Sequence, residues 1–340
     1  MGKSFVTGID IGHHSIKAVV VKPVGVQFEL VTYAEVPVSG AIFSDNHTVN
    51  HQEIVKNLKQ LKKQLPMRAK KVVLAVPDSA VISKLLHIDS ELEEREKEFA
   101  LYQLFAQQSP FPIEELSLDY VKLEPERATV SSTSTYQVYA TRKEVIESRV
   151  EVIKKSGFTP WVMDLQAHGL LRVWQMACQE QAEKANGLLV DIGQSQTSIC
   201  ILPAGRPAYY KDFPLGTQQL PSSLTTSQAV SEPSFTLSLE PPESFIAELA
   251  ERLTRQLSLY ASVNQQHQID GVWLTGGGAT LLGLEESLST KLNLPVARFN
   301  PFARLQGKLT IPERMEPGTF GVAVGLALKG LQWQGGKHVA

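Results

Sequence analysis

The sequence predicts an α/β chain of two lobes that close on one magnesium-nucleotide, and three observations predict it. Two stretches 181 residues apart nearly repeat one another: Gly8-Ile9-Asp10-Ile11-Gly12-His13-His14-Ser15-Ile16-Lys17 and Leu189-Val190-Asp191-Ile192-Gly193-Gln194-Ser195-Gln196-Thr197-Ser198. Each is an apolar run, Asp-Ile-Gly, a polar turn and a second apolar run: a β-hairpin with a carboxylate and a glycine at its tip. Glycine lets backbone approach a bulky anion. An aspartate beside phosphate is repelled unless a divalent cation sits between them, usually through water. The second observation is that Val272-Trp273-Leu274-Thr275 runs directly into Gly276-Gly277-Gly278, a strand followed by a turn that lets backbone approach a purine. The third is length, since 340 residues exceed one small core and suffice for two lobes.

Composition narrows the class. The 43% hydrophobic and 20% charged content is that of an ordinary globular chain. A formal net charge of −2 gives no global field toward nucleic acid or an anionic membrane. Aromatic residues do not interleave with basic ones, which also disfavours nucleic acid. The two cysteines, Cys178 and Cys200, form no C-x-x-C pair, so a reducing compartment fits better than a secreted one. Apolar runs stay far below the ~20 residues that span a bilayer. Met1-Gly2-Lys3-Ser4 leads straight into a strand with no signal-peptide pattern. Together these predict a cytoplasmic protein.

The elements follow in order. Residues 5–12, 15–22 and 26–36 read as a three-stranded meander. His51 to Leu65 has a helical stripe at Ile54, Val55, Leu58, Leu61 and Leu65. Val72 to Val76 is a buried strand stopped by Pro77-Asp78. Val81 to Ile88 is a strand, and Ser90-Glu91-Leu92-Glu93 resembles a capping box opening a helix to about Gln108. Its apolar side is read as Leu92, Phe99, Tyr102 and Phe105. Pro110 and Pro112 end it. Leu118 to Leu123 and Tyr136 to Thr141 are a strand pair joined by an exposed Ser/Thr loop. Lys143 to Ser156 is a helix with a glycine stop at Gly157. A second helix is predicted over Asp164 to Glu183. Thr217 to Pro242, Ser/Thr/Pro/Gln-rich without periodicity, reads as a loop or linker. Glu243 to Asn264 is a strong helix, Leu281 to Leu292 another, and Gly318 to Gly330 a closing small-residue helix.

Candidate site residues follow from the hairpins. Asp10 and Asp191 are expected to hold magnesium through water. Gly12, His13, His14 and Ser15 in the first turn, and Gly193, Gln194, Ser195 and Thr197 in the second, are the expected phosphate contacts, with Lys17 reaching a phosphate from the return strand. Adjacent histidines in a turn diverge, so metal ligation by His13 and His14 is not expected. Gly276, Gly277 and Gly278 would flank the nucleoside. The run is not G-x-G-x-x-G, which argues against a dinucleotide site. Gln166, before the second hairpin, is the candidate catalytic residue, an amide placed to orient an attacking water. A solvent-facing helix position explains the same glutamine equally well. No Ser-His-Asp set, H-E-x-x-H or P-loop is present.

The two hairpins, Thr275-Gly276-Gly277-Gly278-Ala279 and Gly318-Thr319-Phe320-Gly321-Val322-Ala323-Val324-Gly325-Leu326-Ala327 resemble the phosphate-1, phosphate-2, adenosine and connect-2 motifs of the actin-like ATPase superfamily. Leu74-Ala75-Val76-Pro77-Asp78-Ser79-Ala80-Val81, Pro110-Phe111-Pro112-Ile113-Glu114-Glu115-Leu116-Ser117-Leu118-Asp119-Tyr120 and Trp161-Val162-Met163-Asp164 narrow this to a resemblance to the PilM family of type IV pilus assembly. The resemblance implies a two-lobed actin/Hsp70-like (ribonuclease H-like) ATPase fold with an FtsA-type 1C insertion. Mapped on the chain, it implies lobe 1 (1A) at 1–78 and 142–187 and the inserted subdomain 1C at 79–141. Lobe 2 (2A) takes 188–205 and 270–330, subdomain 2B takes 206–269 with loop 217–242, and 331–340 is a tail. It further implies ATP and Mg²⁺ as cofactors, with weak or no ATPase activity. Implied partners are the cytoplasmic N-terminal peptide of PilN, gripped between lobe 1 and the insertion, and through it the PilN/PilO/PilP complex. The assembly and retraction motor ATPases and a second copy of the chain are further candidates. Recruitment to the inner-membrane face would go through a partner, because Gln332 to Ala340 is too short and polar for an FtsA-type membrane helix. His13 and His14 depart from the small residues usual in the family, and 217–242 departs from its usual helical region. Two other readings stay open: an FtsA-like filament or recruitment protein, and a phosphotransferase such as a sugar kinase.

Overall fold

A computed structural model describes residues 5–25, 27–38, 42–43, 47–123, 132–203, 208–221, 240–307, 309–312 and 315–334. The expected loops within 124–135 and 217–242, and the tail, lie largely outside these residues. The first sheet runs β3 (Gln27–Pro37), β2 (Ser15–Val24), β1 (Val6–Ile11), β4 (Lys71–Val76), β8 (Thr159–Leu165). The second runs β11 (Tyr209–Phe213), β10 (Thr197–Ile201), β9 (Gly187–Ile192), β12 (Gly271–Thr275), β13 (Val296–Arg298). In each, three antiparallel strands are followed by two parallel ones. The repeat seen as two hairpins is therefore a repeat of whole sheets.

Alternation along the strands sorts side chains into separate cores. Ile16, Ala18 and Val20 of β2 pack with Ile54, Leu58 and Leu61 of α1 (His51–Lys63) and with Val152 and Ile153 of α3 (Lys143–Lys155). Leu188, Val190 and Ile192 of β9 pack with Leu249 and Leu253 of α5 (Glu243–Val263) and Leu288 of α6 (Leu284–Leu292). Intervening residues from both sheets, Val19 and Val21 on one and Leu189 and Cys200 on the other, share a central core. That core is filled by Trp174 of α4 (Gln166–Glu180) and Leu326 of α7 (Gly321–Gln334). The small-residue character of α7 now has a cause. A Cβ at Gly8 would collide with Ala323 O and Ala327 N, and one at Gly325 with the Gly169 backbone. Helix, strand and helix approach at backbone distance there, so α7 lies on the first sheet although it closes the second half of the chain.

A third sheet, β5 (Val81–Asp89), β7 (Thr133–Arg142), β6 (Leu116–Leu123), is inserted between β4 and α3 and packs on α2 (Glu94–Gln108). Several expectations are corrected. The capping box lies one turn later than expected, between Glu93 and Glu96. The buried side of α2 is Leu101 and Phe105, while Phe99 is 67% exposed. Asp164 lies in β8, which ends at Leu165, instead of starting a helix, and the helix begins at Gln166. Among the described residues no helix is long and apolar enough to cross a membrane.

Candidate functional site

The tips of β1 and β9 place Asp10 and Asp191 at one cleft. Each aspartate is the last residue but one of its strand, followed by Ile and then by a glycine whose N–H closes a four-residue turn: Gly12 to Ser15 O (3.1 Å) and Gly193 to Gln196 O (2.9 Å). Both carboxylates are enclosed by protein on most sides and keep part of their surface open. Burial pushes Asp10 above the usual carboxylate range, and Lys17 and a hydrogen bond from Gln166 hold it back. Burial and then repulsion from Asp10 push Asp191 up to about 7, opposed by Lys17. Two carboxylates that repel one another across a cleft are the arrangement a shared cation relieves.

Lys17 faces Asp10 in register and also contacts Ser15 Oγ (2.6 Å) and Glu35 (3.5 Å). It is tied into a small charged network at the hairpin. Burial lowers both first-turn histidines, with help from His47 at His13 and from Lys17 at His14. Neutral imidazoles bring less charge to a phosphate than the turn's backbone amides do. The His13 ring sits against Phe43 at 4.6 Å. In the second turn, Gly193 O and Gln194 O accept from Thr217 N (3.0 Å) and Gln218 N (2.9 Å). Gln194 Oε1 is buried without a partner among the described residues. Ser195 remains half-exposed at the tip. The buried Thr197 hydroxyl donates to Leu215 O (2.7 Å) and serves the hairpin, so Thr197 can meet a phosphate only through its backbone.

The glycine run divides by role. Gly276 has φ +82°, and a Cβ there would strike Asp191 Oδ1 and Ile192 O, while one on Gly278 would strike the Ile192 side chain. These two glycines let the turn lie against β9. A Cβ on Gly277 would meet nothing, so this glycine borders open space. Beside the run, Arg298 pairs with Glu285 (2.9 Å) and Glu316 (3.1 Å) at a cavity of about 80 Å³. Ligand pockets run to several hundred Å³, so this is not by itself a nucleoside pocket.

Gln166 opens α4, and its side chain bonds Asp10, which places it at the cleft as expected. The next residue exposes a group the sequence reading passed over. Ala167 N donates to Asp78 Oδ2 (2.9 Å), and the Tyr210 hydroxyl donates to the same oxygen (3.2 Å) while lying 3.0 Å from Ser198 Oγ. Asp78 follows β4 of the first sheet and Tyr210 is on β11 of the second, so this carboxylate bridges the halves. Burial pushes Asp78 up to about 6 despite those hydrogen bonds. In sequence it looked like a strand stop after Pro77, and no local pattern gave it a partner 132 residues away.

The donor set suits a magnesium-nucleotide. Among the described residues no group of three or more His, Cys, Asp or Glu stands ready to hold a metal. Mg²⁺ keeps several waters and needs only one or two carboxylates plus phosphate oxygens, which Asp10 and Asp191 match. Gly12 and Gly193 leave both turns open to close approach.

A family model described as "Type IV pilus assembly protein PilM" matches residues 8–331. Among solved structures, a PilM-PilN type IV pilus biogenesis complex is 23% identical, with TM-score 0.76 over 97% of this chain and 98% of that one. The ethanolamine utilization protein EutJ from Carboxydothermus hydrogenoformans is 14% identical, with TM-score 0.52 over 96% of this chain and 90% of that one. These likenesses establish the two-lobed actin-like fold.

Proposed function

The chain belongs to the type IV pilus assembly protein PilM family, and we propose that this actin-like protein is an ATP-binding scaffold of the inner-membrane pilus assembly complex. On this reading it grips the cytoplasmic N-terminal peptide of PilN between lobe 1 (1–78 and 142–187) and the insertion (79–141), and links it to the pilus motor. The observation that carries the peptide site is the outer face of the inserted sheet. Leu85 is 56% exposed on β5, and Tyr139 of β7 on the same face meets His168 of α4 edge-on at 5.2 Å. A mixed sheet face, with Leu85 and Tyr139 among Ser83, Gln137 and Asp119, left open beside lobe 1 is the kind of surface an extended or helical peptide covers. PilM and PilN are also the named components of the similar complex.

In the cleft, Asp10 and Asp191 would hold magnesium through water. Lys17 with the backbone amides of 13–15 and 194–197 would hold phosphate, and Gly277 would border the nucleoside. Mg²⁺, when bound, would supply positive charge that offsets the carboxylates and the phosphates. Gln166, beside Asp10 at the cleft, would orient that carboxylate or an attacking water. Asp78 and Tyr210 join the halves on one side of the cleft, so nucleotide-dependent closure would act through a bridge already formed. A ligand shifts such a closure only by its differential affinity for the closed state.

The test is binding of a labelled PilN N-terminal peptide with and without Mg-ATP, followed by fluorescence anisotropy. Saturable binding that Leu85→Asp weakens by tenfold or more is the expected result, tenfold being about 1.4 kcal/mol. No binding in either condition removes the peptide reading, and a turnover near 1 s⁻¹ or faster would favour an enzyme.

A further inference from the structure

We infer that the solvent face of α1 and the turn that follows it form an electrostatic docking surface for anionic lipid headgroups. Between His51 and Lys71 stand seven basic residues and one acidic, Glu53, in a chain whose formal net charge is −2. The near-neutral total hides a segregated patch. Ile54, Asn57, Leu58 and Leu61 bury the inner face of α1, which leaves Lys56, Lys59 and Lys63 on the outer one. With Gln52, Val55 and Gln60 these lysines line an open hollow of about 560 Å³. Lys56, Lys59, Lys63, Arg68 and Lys70 are exposed, and none makes an ion pair among the described residues.

Ordinary helix electrostatics accounts for part of this. Lys62 and Lys63 lie in the last turn, where the helix dipole favours cations. Lys56 and Lys59 do not, and lysines three and four apart on one helix repel each other. The arrangement costs α1 stability in isolation and is relieved by an anionic surface.

The composition selects the surface. Stereospecific protein interfaces favour arginine and aromatic residues and are depleted in lysine. The exposed patch has four lysines, Lys56, Lys59, Lys63 and Lys70, and one arginine, Arg68. Its one strongly exposed apolar residue is Met67, 88% exposed between Pro66 and Arg68. A single apolar side chain among flexible lysines suits the headgroup layer, where the ammonium groups reach phosphates and the methionine enters the acyl boundary. It does not suit the dry centre of a protein interface. The inference goes beyond the cleft and the peptide site and depends on neither.

The test is co-sedimentation of the full chain with phosphatidylglycerol-containing vesicles, against pure phosphatidylcholine, at low and physiological salt. Binding to the anionic vesicles alone, weakened by salt, is expected. Lys56→Glu, Lys59→Glu and Lys63→Glu combined should lower partitioning at least about tenfold, while arginine at the same three positions retains it. Circular dichroism melting of each variant checks that the exposed substitutions leave the fold intact. Equal binding to neutral vesicles, no loss in the folded triple-Glu variant, or binding to polyglutamate with none to anionic vesicles would each overturn the inference, the last in favour of an acidic protein partner.

Discussion

The two hairpins share a sequence pattern and a sheet position but not an electrostatic environment. Across β1 and β2, Asp10 faces Lys17; across β9 and β10, Asp191 faces Ser198. Asp10 also receives Gln166, whereas Asp191 is approached by the Gly276 turn, with no side chain between. The first aspartate therefore has its own cation, and the second is left at about 7 by burial and by the first. A duplicated motif can keep its backbone and divide its charge between copies. On the proposed reading, one hairpin would anchor phosphate through a lysine, and the other would depend on an added cation.

The largest expected effect tests the crowded side of the second hairpin. Gly276→Ala combines a left-handed φ with a collision against Asp191 and should cost about 3 kcal/mol or more in urea unfolding. Gly12→Ala, whose Cβ would lie 3.1 Å from Ser15 O, should cost less, and Gly277→Ala less again. Equal losses at Gly276 and Gly277 would remove the close-approach argument.

Next is the division of roles by calorimetry. Asp10→Ala should weaken Mg-ATP binding at least tenfold (about 1.4 kcal/mol) and leave the fold intact. Lys17→Met should weaken ATP binding with or without magnesium. Unchanged affinity in the Asp10 variant would reject the assigned site, and a Lys17 effect confined to magnesium would reject the division of labour.

The bridge between the halves gives a pH prediction. Asp78 holds its proton to about 6 in the folded protein against an ordinary 3.8, so the folded state binds more protons in that window. Stability should therefore fall as pH rises from about 4 to about 6, with the penalty complete above it. Denaturant melts across this range should fall less steeply for Asp78→Asn than for the unmodified protein, and parallel curves would contradict the assignment. The smallest effect is Phe99→Ser, which should stay within about 0.5 kcal/mol because the ring is already 67% exposed.

Much of the molecule was legible locally. The hairpins, α1, α5 and the glycine run follow from alternation, helical period and turn chemistry, which are short-range. What was missed shares a cause. β8, β11 and β13 are short or partly polar strands, such as Tyr209–Phe213 and Val296–Arg298, defined by the neighbour they pair with. Asp164, expected to open a helix, lies in β8; its partners, Arg172 at 3.1 Å and His168 at 3.1 Å, exist only once α4 turns back along the strand. Burial raises Asp164, but the His168 hydrogen bond and Arg172 together hold it down at about 2.

By itself the sequence determined the two-lobed class, the paired aspartates and the glycines that open the turns, because a repeated strand-Asp-Ile-Gly-turn pattern carries its geometry in local backbone preferences. Only the tertiary structure decided that Thr197 turns into the hairpin, that Phe99 faces outward, that Gly276 is required by Asp191 and that Asp78 meets Tyr210. Each of those depends on which surface arrives from a distant part of the chain, and burial, hydrogen bonding and charge are set by that arrival.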